Sequence, residues 1–193
     1  MSSVYIWLFI LLSAVVNVHA ELKTAVFAGG CFWCMEPPFD DLDGVTKTVS
    51  GYIGGTKENA TYKNILKGNT GHFEAIAVTY NTSKIKYQKL LDVFWSNVDP
   101  FDDSGQFCDK GEQYLSAIFY GSERERKEAE KSKITLQQKF KNKEIKTQLI
   151  ELGTFYPAES YHQDYYLKNP VRFKYYKYRC GREQRLKELD IKF

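Results

Sequence analysis

The sequence lacks a strong charge of either sign. Against 24 Asp and Glu, 27 Lys and Arg leave a formal charge of +3, spread along the chain. That is too little, and too even, for a nucleic-acid surface. No internal repeat or low-complexity linker divides the 193 residues, so the length suits one domain with a full core. The N-terminal apolar run, "IWLFILLSAVV" from Ile6 to Val16, falls short of the roughly 20 residues that a spanning helix needs. It is followed by "NVHA", which puts Val18 and Ala20 at the small-residue positions of a cleavage site. The segment therefore reads as a secretory signal peptide. Lys and Arg are missing from its first residues, "MSSVY", which keeps an uncleaved anchor open as the alternative. The expected organisation is a signal peptide over 1–20 and one domain over 21–193. The product would be exported to a periplasm, the exterior or an organelle lumen.

Cysteine is also scarce: Cys31, Cys34, Cys108 and Cys180 are the only four, all beyond the leader. Export permits disulfides, so two structural bridges are one reading. A domain of this length can build a core without staples, which leaves room for cysteine chemistry.

What the chain has is an ordinary globular composition, 43% apolar and 16% aromatic. The apolar run Lys23–Ala28, closed by Gly29 and Gly30, predicts a buried strand. Residues His72–Tyr80 predict a second. Glu74, Ile76, Val78 and Tyr80 share one of its faces, and Phe73, Ala75 and Ala77 the other. Both faces are largely apolar, as in a central strand. A helix is predicted over Thr82–Asn97, ended by Asp99-Pro100, and a third strand over Gln113–Tyr120. Ser122 then caps a charged helix over about Glu123–Lys141, whose Glu/Arg/Lys run reads as a solvated face. A fourth strand is predicted over Lys146–Leu152. The last 40 or so residues read as short helix and coil. Strands alternating with helices indicate one layered α/β or α+β domain.

The densest chemistry is "GGCFWCME", residues 29–36. A helix opening at Cys31 would put its sulfur at a positive helix end and lower its pKa. Pro37 and Pro38 argue instead for a helix starting near Glu36, with residues 31–35 as a lead-in turn. The pair itself allows several readings. A structural disulfide across two residues closes too short a loop to stabilise much. A zinc site needs a second pair, and Cys108 and Cys180 stand alone. A thioredoxin-like thiol–disulfide exchange centre uses strand, cysteine pair and helix in this order. A working cysteine flanked by Phe32 and Trp33 is also poised for an apolar substrate group.

"GGCFWCMEPPF" resembles the signature of the type A peptide methionine sulfoxide reductases. "TYKNILKGNTGHFEA", "FCDKGEQYLSAIFY" and "AESYHQDYY" are similar to the family's later blocks, in the same order. The resemblance runs from Thr24 to about Leu189. It implies an α+β fold, a two-layer sandwich with a mixed sheet and a ferredoxin-like core, ending in an irregular C-terminal tail. It also implies reduction of the S-epimer of methionine sulfoxide, free or in proteins.

By that resemblance Cys31 is the nucleophile, and Phe32 and Trp33 hold the substrate's S-methyl group. Glu74 is the proton donor, Tyr62 and Tyr114 hydrogen-bond the sulfoxide oxygen, and Asp109 is a polar member of the pocket. On residue chemistry alone, Glu74 reads first as a strand-end carboxylate in solvent, and Asp109 as a turn residue. Attack leaves a sulfenic acid on Cys31, which condenses with a second thiol. Cys34 is the first candidate for that thiol and Cys180 the second, with a relay or a bystander on a mobile tail as other readings of Cys180. Cys108 reads as an inert buried thiol or a redox participant, His72 as structural, and Glu36 as a helix-end anion. No cofactor or metal is expected. A thioredoxin-like donor regenerates the enzyme, and the chain is expected to be a monomer. Two other classes remain: an exchange protein that reduces disulfides without sulfoxide turnover, and a secreted module stapled by disulfides. The absence of a Trp just before Cys31, and the glycine pair there, count against the first of these.

Overall fold

The computed structural model describes residues 21–192; the expected signal peptide lies outside the described residues. In chain order the elements are β1 (Leu22–Gly29), α1 (Phe32–Asp40), β2 (Val45–Ile53), α2 (Tyr62–Ile65), β3 (Phe73–Asn81) and α3 (Tyr87–Trp95). Then come the two-residue strands β4 (Gly105–Gln106) and β5 (Asp109–Lys110), β6 (Ser116–Tyr120), α4 (Glu123–Lys139), β7 (Gln148–Glu151) and β8 (Phe155–Pro157). The chain closes with α5 (Tyr165–Lys168), α6 (Pro170–Arg179) and α7 (Arg182–Leu189).

Six strands form one sheet in the order β7-β6-β1-β3-β2-β8. Every pair is antiparallel except β6 with β7, so the sheet is mixed. β3 lies between β1 and β2, the central position that its two apolar faces predict. Ile76, Val78 and Tyr80 join the main core under the helices, and Ala75 and Ala77 join a second cluster on the other face. That second cluster consists of strand residues only. In the main core Phe27 of β1 stacks on Phe39 of α1 at 5.3 Å and on Phe94 of α3 at 5.4 Å. Trp95 Nε1 donates to Ser132 Oγ at 2.9 Å, joining α3 to α4. The charged face of α4 is solvated as expected, with Arg126 paired to Glu123 and Glu130.

Several boundaries differ from the sequence reading, each for a local reason. α1 opens at Phe32, not near Glu36: Cys31 takes the N-cap place, and the Phe32 N–H is received by Glu74 Oε2 at 3.2 Å. The two prolines lie inside α1. α3 starts at Tyr87, later than Thr82, because Asn81 Oδ1 accepts the Ser83 N–H and holds a turn there. β6 starts at Ser116; Glu112–Tyr114 form a single 3-10 turn after Gly111, whose φ of 122° bends the chain. β2 and β8 were not marked by the sequence. Among the described residues no helix is long and apolar enough to cross a membrane.

Candidate active site

The site begins where β1 runs into α1. Gly30 sits at φ +80°, and a Cβ there would stand 2.6 Å from Gln106 Cβ. A Cβ on Gly29 would stand 2.5 Å from Met35 Sδ. Neither place has room for a side chain, so the glycine pair lets the strand end pass under the Gln106 loop and deliver Cys31 to the head of α1.

Cys31, Phe32, Trp33, Tyr62, Glu74, Asp109 and Tyr114 line one small cavity, of about 70 Å³, together with Tyr176. All seven lining residues named from the sequence thus converge from five parts of the chain. Cys31 and Phe32 are 5% and 1% exposed. Glu74 is 2% exposed, and burial pushes its carboxyl up to about 8, opposed by the Phe32 N–H and assisted by Asp109 and Cys34. At neutral pH it carries a proton. The sequence-level alternative, a carboxylate in solvent, is corrected: its position on the helix-facing side of β3 buries it. Burial also raises Tyr62 to about 12 and raises Tyr114. Both keep their hydroxyl protons. Asp109 is raised by burial and accepts from Tyr176 Oη at 2.5 Å.

Cys31 and Cys34 are free thiols one helical turn apart. Their joint titration departs from the simple helix-end expectation. Cys31 does not cap α1 through its sulfur. Burial pushes its thiol up, and its hydrogen bond to Cys34, then the charges of Cys34, Glu74 and Asp109, push the same way. Cys34 is lowered, first by that hydrogen bond and further by Arg182. Of the two thiols, Cys34 therefore gives up its proton more readily than Cys31.

The aromatic wall is braced from the C-terminal segment. Trp33 stacks on Tyr165 at 3.8 Å and donates from Nε1 to His162 Nδ1 at 3.0 Å. With Nδ1 accepting, the neutral His162 ring carries its proton on Nε2, which has no protein partner. Glu159 accepts from the Tyr62 N–H and from Tyr52 Oη, each at 2.9 Å. Buried Arg182 donates to the Gly29 carbonyl at 3.3 Å and lies over the Phe107 ring at 4.5 Å. Sequence reasoning missed Glu159, His162, Tyr176 and Arg182. Two of them sit in the "AESYHQDYY" block, which the sequence marks as a block without giving roles to its members.

Cys180 is not on a loose tail. It follows α6, and its sulfur is bonded to Cys108, 72 residues away. As bonded it offers no thiol, which leaves Cys34 as the free partner nearest Cys31. Nor is Cys108 a buried inert thiol; it is exposed. Cys108, Asp109 and Cys180 bring their ligand atoms within 4.8 Å of one another, but the sulfurs are joined to each other and present no thiolate to a metal. His72 is structural as expected: Nδ1 accepts the Gly55 N–H and Nε2 meets the Thr56 carbonyl. Glu36 is not a helix-end anion. It is 1% exposed, accepts from Ser50 Oγ at 2.9 Å, and burial raises it to about 7.

The family model for peptide methionine sulfoxide reductase matches residues 23–192. The peptide methionine sulfoxide reductase MsrA of Bacillus licheniformis is 48% identical over 163 residues, which is 83% of this chain and 90% of that protein. Among solved structures, reduced Mxr1 from Saccharomyces cerevisiae is similar with a TM-score of 0.73 and 35% identity, over 78% of this chain and 87% of that one. Mxr1 in complex with Trx2 gives 0.51 and 25%, over 78% and 91%. Family model, sequence identity and fold likeness agree, and the chain belongs to the peptide methionine sulfoxide reductases of type A.

Proposed function

We propose that this cavity reduces the S-epimer of methionine sulfoxide, free or in proteins, with Cys31 as nucleophile and Cys34 as the resolving thiol. One observation carries the reading: a buried thiol and a carboxyl that is protonated at neutral pH line the same cavity. Phe32 and Trp33 receive the S-methyl group against aromatic faces. Tyr62 and Tyr114 donate to the sulfoxide oxygen, and Glu74 gives it a proton as Cys31 attacks the sulfur. The Cys31 proton passes to Cys34, its hydrogen-bond partner. Asp109 and Tyr176, hydrogen-bonded to each other, add a polar wall to the same cavity. The oxygen then passes from the substrate sulfur to the Cys31 sulfur: the S–O bond and the transient bond between the two sulfurs both break, methionine leaves, and Cys31 is left as a sulfenic acid. Cys34 attacks that sulfur, water leaves, and a disulfide forms. Two thiols of an external donor then restore both cysteines. The yeast relative seen with Trx2 supports a thioredoxin-like donor for this chain.

Export is part of the proposal. The apolar run and the small-residue positions before Glu21 support it, as does a disulfide reaching an exposed cysteine. N-terminal sequencing of the secreted protein should begin at Glu21.

The test is a single turnover without any thiol donor. The chain, its Cys108–Cys180 bond intact, is mixed with each sulfoxide epimer separately. The S-epimer should yield one methionine per chain and a new Cys31–Cys34 disulfide on a mass map, while the R-epimer survives. Full turnover by Cys31→Ser would overturn the reading. A Cys31–Cys180 link would displace Cys34 as resolver. Insulin reduction without sulfoxide turnover would favour the exchange protein.

A further inference from the structure

Tyr62 is the cavity residue with the weakest local support. It is the first residue of α2, a helix of four residues, and the N-cap, Thr61, makes no side-chain capping bond. A four-residue helix has no stability of its own. Its first N–H needs an acceptor from elsewhere.

The acceptor comes from 97 residues away. Glu159 Oε1 receives the Tyr62 N–H at 2.9 Å. Its other oxygen, Oε2, receives Tyr52 Oη at 2.9 Å. Tyr52 is fully buried on β2, at 0% exposure, with its ring 5.9 Å from that of Phe32. One carboxylate thus ties the start of α2 to a rigid strand of the sheet. The same residue begins the turn that carries His162, since the Glu159 carbonyl accepts the His162 N–H at 2.9 Å. His162 in turn packs on the Tyr62 ring at 4.3 Å. Both faces of the hold on Tyr62, backbone and ring, therefore pass through residues 159–162.

We infer that Glu159 is a positioning residue of the reduction, fixing the Tyr62 hydroxyl at the sulfoxide oxygen by clamping the α2 N-terminus to Tyr52. Hydrogen bonds to an ionised acceptor are the stronger kind, about twice neutral ones. Glu159 is held in that ionised form. Its carboxyl is lowered, burial opposing and the Tyr62 N–H, then its own backbone, then Tyr52, favouring the charge. It does not line the cavity, so it acts through Tyr62 and not on the substrate.

This inference rests on the sulfoxide reading of the cavity, and wild-type turnover of the S-epimer tests that reading separately. The experiment is a double-mutant cycle with Glu159→Ala and Tyr62→Phe, reading kcat, KM and Tm. Glu159→Ala should lower kcat by ~10- to 100-fold, the scale expected when a catalytic group is displaced by about an ångström, with KM changed less than about twofold. In the Tyr62→Phe background the same substitution should cost less than about threefold, because the hydroxyl it positions is already gone. Its effect on Tm should be equal in both backgrounds. Glu159→Gln, which keeps one acceptor oxygen and the side-chain length, should recover part of kcat, and it replaces Glu159→Ala in the cycle if the alanine variant does not fold. An unchanged kcat, or the same fold-loss in both Tyr62 backgrounds, overturns the inference. Failure of the wild type to reduce the S-epimer overturns the parent reading instead.

Discussion

Burial acts on Cys31 and Glu74 in one direction with opposite chemical consequences. It keeps a proton on Glu74, which an acid needs, and on Cys31, which a nucleophile must lose. In the proposed reaction the thiol pair resolves the conflict, because the Cys31 proton passes to Cys34, whose pKa its hydrogen bond to Cys31 lowers. Glu74 then sets the alkaline limit of the first step. Its protonated fraction falls as pH rises through about 8, so the single-turnover rate should decline above that pH. Glu74→Gln should lose ~10²- to 10⁴-fold in rate, the usual worth of a positioned acid, and lose the decline as well. A wild-type rate that keeps rising from pH 7 to pH 10 would remove Glu74 from the acid's role. Glu36 carries a related effect on stability. Folding raises its pKa from 4.5 to about 7, so the folded state holds the proton more tightly. The stability this contributes is complete below the unfolded pKa and is lost as pH rises through about 7. The shift corresponds to about 3 kcal/mol. Urea midpoints of Glu36→Gln should therefore fall less steeply between pH 5 and 8 than those of the wild type, with the Glu74 slope still present.

Among the elements, the glycine pair before Cys31 decides where the nucleophile stands. Gly30→Ala would force a Cβ into Gln106 at a positive φ, a strain of about 1–3 kcal/mol. The Gln106 side chain exchanges two hydrogen bonds with the backbone of Asp99, at 2.8 and 2.7 Å, so its displacement disturbs the loop that leads to Asp109. The variant should show a lower Tm together with slower alkylation or turnover at Cys31; wild-type values for both would show that the turn is slack. Elements with a clean period were legible from sequence: β1, β3 and α4 lie where alternation, glycine punctuation and the Ser122 cap put them. β2 was not, because Ser50 and Gly51 interrupt its apolar pattern. In the fold Gly51 is required by close approach, a Cβ there standing 2.4 Å from Phe155 Cζ and from the Tyr156 carbonyl. α6 was not delimited within the segment read as short helix and coil. Phe173 is its one buried side chain, and a helix with so narrow a buried stripe shows no 3.6-residue pattern. The cavity residues were named through block resemblance, since a tyrosine among 14 has no local mark of its role. The braces behind them depend on contacts across about 100 residues or more, which no local pattern reveals.

At the scale of the whole molecule, the C-terminal helices close the site, and one covalent bond holds them there. The Cys108–Cys180 disulfide joins the loop bearing Asp109 to the end of α6, which bears Tyr176. Those two residues also share a hydrogen bond and line the cavity together. Beyond the bond, Arg182 at the start of α7 reaches back to the Gly29 carbonyl. Cutting the disulfide frees a loop with a sequence separation of 72, which on chain-entropy grounds is worth about 4 kcal/mol. For a domain of this size that corresponds to a Tm lower by ~10 °C. Cys31 and Cys34 are already free thiols, so a reductant changes only this bond. The wild type should therefore melt ~10 °C lower in dithiothreitol than without it. A chain carrying Cys108→Ser and Cys180→Ser should melt at the lower temperature in both conditions. The same pair of variants should raise KM for the sulfoxide more than it lowers kcat, because the Asp109–Tyr176 wall loosens while Cys31 and Glu74 keep their places on α1 and β3. Equal melting of the wild type with and without reductant would mean that the noncovalent contacts of α6 and α7 hold the site closed by themselves.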